Sequence, residues 1–279
     1  MVARRCGSAV FGSSLTVEAA VITTSPVCRA GAELAVYAGI ATWLTWPLAL
    51  KAQTHLPGVS TPDTLHGIWA LAWAARAPFA GHGGLFDAPI LHPTPRAFFF
   101  APNGLGPAPL FAPLYLASGN PVFASNLTLL LALALTAWGL HRVTREWTGS
   151  WMAGLVAGAT FLTSTQWTLY LTMWPTYVSV YYFPWIITLV AKSPSGRPAV
   201  VLLAVLMALQ CLADPVYVAP VVIAPIAAIA LTRLVRRGTR RSGFELVAAI
   251  GLTAAAMSPL YLGYLDARAR TLSGGSWAS

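Results

Sequence analysis

Asp63 stands in the stretch S-T-P-D-T-L-H-G-I-W, where Pro62 fixes the preceding turn. From Leu65 onward the apolar positions are Leu65, Ile68, Trp69, Ala72 and Trp73. That is the stripe of an amphipathic helix, and two tryptophans on one face suit a helix lying flat on a bilayer surface. The pattern puts Asp63 at the N-cap. There its carboxylate would accept hydrogen bonds from the first backbone N–H groups, worth about 0.5–2 kcal/mol. A compatible second role is general base or metal ligand, beside His66 one turn later.

A second group of chemically able residues follows. Asp87 and His92 lie in L-F-D-A-P-I-L-H-P. The plain expectation is an Asx-type turn before Pro89 with a histidine in a loop. Arg96 opens R-A-F-F-F-A-P-N-G-L-G-P-A-P-L-F, a Pro/Gly-broken stretch that reads as a re-entrant or interfacial element. Its guanidinium suits a phosphate through charge-assisted hydrogen bonds, or lipid headgroups in general. Asp214, in C-L-A-D-P-V-Y, reads as a tight turn or as an ionisable group inside the membrane. Gln210, one turn earlier, is expected to face the bundle interior, and Trp174, Tyr177, Tyr181, Tyr182 and Trp185 form an aromatic belt or a sugar or prenyl contact.

Other chemistries lack their signatures. No phosphate-binding G-x-x-x-x-G-K-[ST], strand-linked G-x-G-x-x-G, H-E-x-x-H or G-x-S-x-G is present. Cys6, Cys28 and Cys211 have no metal-ligand spacing, so no disulfide and no zinc site is expected. With no module for a cytosolic nucleotide-sugar, a transferase of this kind would draw on a lipid-linked donor.

The elements that must position these residues follow from composition. Of 279 residues, 57% are hydrophobic and only 9% charged, with mean hydropathy +0.66. Such a chain cannot cover a globule with polar surface, which excludes a soluble enzyme, a disordered chain and a disulfide-stapled secreted domain. The fold class expected is all-α, a polytopic transmembrane bundle of about seven spans. Residues 1–31 read as a flexible cytoplasmic tail, and 32–279 as the membrane domain. Within it, about 32–50 is a first span and 51–120 a large loop lying on the membrane face. Apolar runs at about 121–140, 151–171, 175–191, 198–213, 216–232 and 244–264 supply six further spans.

The formal charge is +9. Twelve of the 17 basic residues fall in the tail or after the second, fourth and sixth spans. The positive-inside rule then makes the N-terminus cytoplasmic and the 51–120 loop extracytoplasmic, in a multi-pass protein of a plasma (inner) membrane. No basic patch is interleaved with base-stacking aromatics outside the apolar runs, so no nucleic acid partner is expected. The chain end at T-L-S-G-G-S-W-A-S reads as the end of an N-terminal piece rather than of a domain.

Residues 33–265 resemble the GT-C class of integral-membrane glycosyltransferases, and more closely bacterial multi-pass proteins grouped with mannosyl- and arabinosyltransferase-like families. The resemblance is carried by a first span ending at Lys51 and a long loop with T-P-D-T-L-H-G-I-W-A-L-A-W, L-F-D-A-P-I-L-H-P and A-P-L-Y-L-A-S-G-N-P-V-F-A-S-N-L. After these come L-H-R-V-T-R-E-W-T-G-S-W-M-A-G-L-V-A-G-A-T-F and the Tyr/Trp-rich fourth run. It implies sugar transfer from a polyprenyl-phosphate donor on the extracytoplasmic face, with Asp63 as catalytic carboxylate and Asp87 as supporting acid. His66, His92, Arg96 and Asp214 are the matching candidates for substrate binding. A divalent cation such as Mg or Mn, with Asp63 as ligand, is the cofactor the resemblance allows, and membrane lipids are the expected surroundings. Single acids stand here where many members of the class show a paired acidic motif. A transporter or flippase-like bundle, or an inactive fragment, are the alternatives.

Overall fold

The computed structural model describes residues 26–57, 62–79, 84–91, 94–100, 105–164, 179–213 and 218–273, apart from the side chains at 26, 63, 218, 219 and 271–273. The protein is all-helical, and no strand occurs among the described residues. Its helices are α1 (Pro26–Leu44), α2 (Leu48–Lys51), α3 (Pro62–Arg76), α4 (Ala108–Ser118), α5 (Pro121–Thr148) and α6 (Trp151–Thr163). They continue as α7 (Phe183–Ala191), α8 (Arg197–Ala213), α9 (Val218–Val235) and α10 (Arg240–Ser273).

Local sequence sets the boundaries of α5 with little help from packing. Asn120 is the N-cap, and its side chain accepts the N–H groups of Val122 and Phe123 at 3.0 and 3.1 Å. Pro121 follows at the first helical position, where a missing N–H costs nothing. At the other end Gly149 turns left-handed (φ 70°) and its N–H returns to the Arg145 carbonyl. Ser150 then caps α6 by accepting the Ala153 N–H at 3.2 Å.

Two helices, α5 and α10, are long and apolar enough to cross a membrane. Shorter apolar helices are Ala108–Ser118, Trp151–Thr163, Arg197–Ala213 and Pro220–Val235. The first helix begins at Pro26, inside the stretch expected to be tail, and takes in Cys28 and Arg29. The 51–120 loop is itself substantially helical, through α3 and α4 and 3₁₀ turns at Ala77–Phe79 and Ala97–Phe100. Residues 165–178, including Trp174 and Tyr177, lie outside the described residues.

Packing is organised around α5. One flank receives α1 and α6, with Tyr37, Ala41, Leu129, Leu133, Ala137 and Leu162 in their shared core. The other receives α7, which leads into a second group, α7 to α10, around Ile186, Leu203, Met207, Val222 and Leu246. A close approach is made by α6, whose Gly154 and Gly158 share one face in a small-xxx-small spacing. A Cβ on Gly154 would lie 2.7 Å from the His141 carbonyl, and one on Gly158 would lie 2.6 Å from the Tyr37 ring.

The bundle has two chemically distinct ends. Glu146 pairs with Lys192 at 2.8 Å, Glu245 accepts the Gly196 N–H at 3.3 Å, and Arg233 donates to the Val190 carbonyl at 2.9 Å. These contacts gather Arg142, Arg145, Lys192, Arg197 and the arginines from 233 to 241 at one end. At the opposite end the 51–120 segment is fastened down. Asn126 Nδ2 donates to the carbonyls of Ala52 and His55 at 2.8 and 2.7 Å, and Asn120 Nδ2 to that of Gln53 at 2.9 Å.

Gly154→Ala and Gly158→Ala should each destabilise the chain by about 1–3 kcal/mol, the cost of overpacking a tight contact. Gly251→Ala in α10, whose Cβ meets open space, is the control. Thermal unfolding of the purified protein in detergent checks this: Tm should fall for the first two and hold or rise for the third.

Candidate functional site

The expected site residues belong to the segment that closes the Asn126 end. Asp63 is the second residue of α3, because the helix already begins at Pro62. It therefore lies within the first turn instead of before it, which corrects the N-cap expectation: proline is pre-organised for the first helical position. The side chain of Asp63, and all of His92 and Asp214, lie outside the described residues.

From its first turn α3 carries an aromatic row. His66 is half-buried, with its ring 5.6 Å from that of Trp69. Trp69 stacks on Trp73 at 6.4 Å and meets the fully buried Phe98 edge-on at 6.2 Å. Trp73 Nε1 donates to the Leu85 carbonyl at 2.7 Å, which ties the 84–91 loop to the helix. Phe86 in turn stacks on Phe99 at 3.9 Å. Phe99 lies over Gly263 of α10 so closely that a Cβ there would collide with the ring. Phe98, fully buried, and Phe99, half-buried, thus wedge between α3 and α10, and Phe100 meets Tyr264 of α10 edge-on at 6.1 Å.

Asp87 is exposed and holds its own loop. Its Oδ2 accepts the Gly84 N–H at 3.2 Å, and its Oδ1 accepts the Arg96 N–H at 3.3 Å. The expected forward Asx-turn does not form, for a simple reason: the residue two positions on is Pro89, which has no N–H to give. The carboxylate turns back to Gly84 and across to Arg96 instead.

Arg96 has φ 54°, a left-handed conformation that costs a non-glycine residue about 1–2 kcal/mol. Two interactions hold it there: the N–H bond to Asp87, and a guanidinium bond from Nη1 to Asp266 Oδ2 at 2.9 Å. Asp266 also accepts from Arg270 Nε at 3.1 Å on both oxygens. Asp87, Arg96, Asp266 and Arg270 form a continuous polar chain from the loop to the last turns of α10, all of it exposed. No sequence expectation had joined Arg96 to α10. The partners stand 170 residues apart, and no local signal links them.

Next to it, Gly106 is stitched to α8. Its N–H satisfies the Leu212 carbonyl at 2.9 Å, one of the unpaired groups at a helix C-terminus. Its own carbonyl accepts the hydroxyls of Tyr181 and Tyr182, both at 3.2 Å. Gln210 is fully buried, as expected, and donates to the Ser179 carbonyl at 2.8 Å.

The described carboxylates here do not suit a divalent cation. Asp87 is occupied by two backbone N–H groups, and Asp266 by two guanidinium groups. Among the described residues no three His, Cys, Asp or Glu side chains gather as ligands.

A second polar cluster, missed at the sequence level, lies at the basic end between α1 and α5. The Glu33 side chain is only 6% exposed. Its Oε1 accepts from Arg145 Nη1 at 2.8 Å and its Oε2 from Trp138 Nε1 at 3.3 Å. The fully buried His141 has Nε2 3.9 Å from Glu33 Oε1, while its Nδ1 and the Tyr37 hydroxyl are 2.8 Å apart. The available signal was an acid just inside an apolar run, which demands a buried partner. Placing the run's start at residue 32 put Glu33 at its margin and hid that demand.

Arg145→Gln should destabilise the protein more than Glu33→Gln, by about 1–2 kcal/mol, because an unpaired buried carboxylate is left by the first change only. Arg145, at 35% exposure, can reach solvent when Glu33 is gone. Thermal unfolding of both variants and the double variant checks the order. Compared with protein-family models, curated proteins and solved structures, the chain matches none.

Proposed function

We propose that this chain is a seven-span membrane protein of a bacterial plasma membrane that transfers a sugar from a polyprenyl-phosphate donor to an acceptor on the extracytoplasmic face. The observation that carries the reading is the loop end of the bundle. Asp87, Arg96 and Asp266 hold a cation and two carboxylates at the surface there, beside the aromatic row of α3 and opposite the end rich in arginine. The donor's prenyl chain belongs in hydrocarbon, and its phosphate and sugar at the interface. Arg96, about half exposed, can exchange Asp266 for a phosphate oxygen. Asp63, in the first turn of an α3 anchored by its aromatic face, is the base that takes the acceptor hydroxyl proton as the lipid phosphate leaves. His66, His92 and Asp87 would line the sugar.

One observation favours a second reading, transport: the buried Glu33 and His141 form an ionisable pair between two bundle helices, with Arg145 leading from it toward solvent, and such groups mark proton or ion pathways in transporters. Asp63→Asn and Asp214→Asn, made separately, discriminate. Membranes carrying each variant are supplied with radiolabelled polyprenyl-phosphate hexose and pentose donors. Transfer predicts a drop in glycan product of about 10²–10⁴-fold for Asp63→Asn alone. Loss of lipid-sugar flux in Asp214→Asn alone supports transport, and two unchanged variants leave an inert bundle.

A further inference from the structure

Beyond the loop-end reading, the opposite end contains a cavity of about 500 Å³ lined by Arg29, Glu33, Arg142, Arg145, Glu146 and Gly149. Its charges do not cancel. Arg145 is matched by Glu33, and Glu146 by Lys192. Arg29 and Arg142 have no carboxylate partner among the described residues, and both are exposed. Arg142 is held in place by its guanidinium over the Trp138 ring, 5.5 Å from the centroid. Arg29 lies in the first turn of α1, where the positive helix end adds to the field. At Gly149 the left-handed C-cap carries no side chain and a Cβ would meet open space, so the cavity is not narrowed there.

We propose that this cavity binds a phosphate group, and that the phosphate is the headgroup of an anionic membrane lipid. Two unmatched guanidinium groups suit the two charges of a phosphomonoester such as phosphatidic acid. The lipid source is favoured over free phosphate by the exposed apolar side chains at the same end. Val27, Trp147 and Trp151 are 79%, 64% and 47% exposed, and lie within a few residues of Arg29 and Gly149 in the sequence. Tryptophans in that position seat acyl chains at the headgroup level.

The purified full chain in neutral detergent is titrated with fluorescently tailed phosphatidic acid, with inorganic phosphate as competitor. The double variant Arg29→Gln/Arg142→Gln should bind about thirtyfold more weakly. Arg236→Gln/Arg237→Gln, which removes two cations at the same end outside the cavity, should bind as the parent does. Melting temperatures confirm that both variants are folded. Equal weakening of both variants, or no saturable binding by the parent, overturns the site. Displacement of the lipid by equimolar inorganic phosphate overturns the lipid source.

Discussion

An apolar helix can be located by its neighbours only where it carries a polar group that must be satisfied, and α5 carries such groups at both ends. At one end Asn120 and Asn126 donate to backbone carbonyls between 52 and 55 and hold the start of the loop against the bundle. At the other, His141 and Arg145 meet Tyr37 and Glu33 of α1. Between them the contacts are mainly apolar, through Leu129, Leu133 and Ala137. The polar pairs fix the register of α1 on α5, because an unmatched buried carboxylate or amide costs more than small packing losses.

That register decides what α6 can do. With Tyr37 and His141 fixed, only a face without side chains can approach them, and Gly154 and Gly158 provide it. The same economy appears at the loop end. Gly106 lies so close to the Ala213 backbone that no side chain fits, and this allows its N–H to satisfy the last turn of α8. Close approach through glycine puts the loop, α8 and the Tyr181–Tyr182 pair in one place, and the Asp87–Arg96–Asp266 chain is assembled beside it.

The polar features at the two ends differ in kind. At the loop end the carboxylates and guanidinium groups are paired and reach the surface. At the basic end a buried carboxylate anchors one arginine, while two others around a cavity have no carboxylate partner among the described residues. Large apolar side chains stay exposed along α9 and α10, including Val221, Leu231, Phe244, Tyr261 and Leu262. In water such continuous patches promote association; in a bilayer they are ordinary lipid-facing surface.

Composition and punctuation alone determined that the chain is helical and where some helices begin, α5 at Pro121 and α6 at Trp151 among them, while α1 begins at Pro26 instead of about 32 and α10 at Arg240 instead of about 244. Asn120-Pro121, Gly149-Ser150 and the stripe from Leu65 to Trp73 act within a few residues, so they can be read without a fold. The partner of Arg96, the burial of Glu33, the backward turn of the Asp87 carboxylate and the wedge role of Phe98 and Phe99 were not legible. Each depends on groups brought together from distant parts of the chain or on geometry set by them. A charge declares in sequence that it needs a partner, but only the packed bundle decides which one comes within 3 Å.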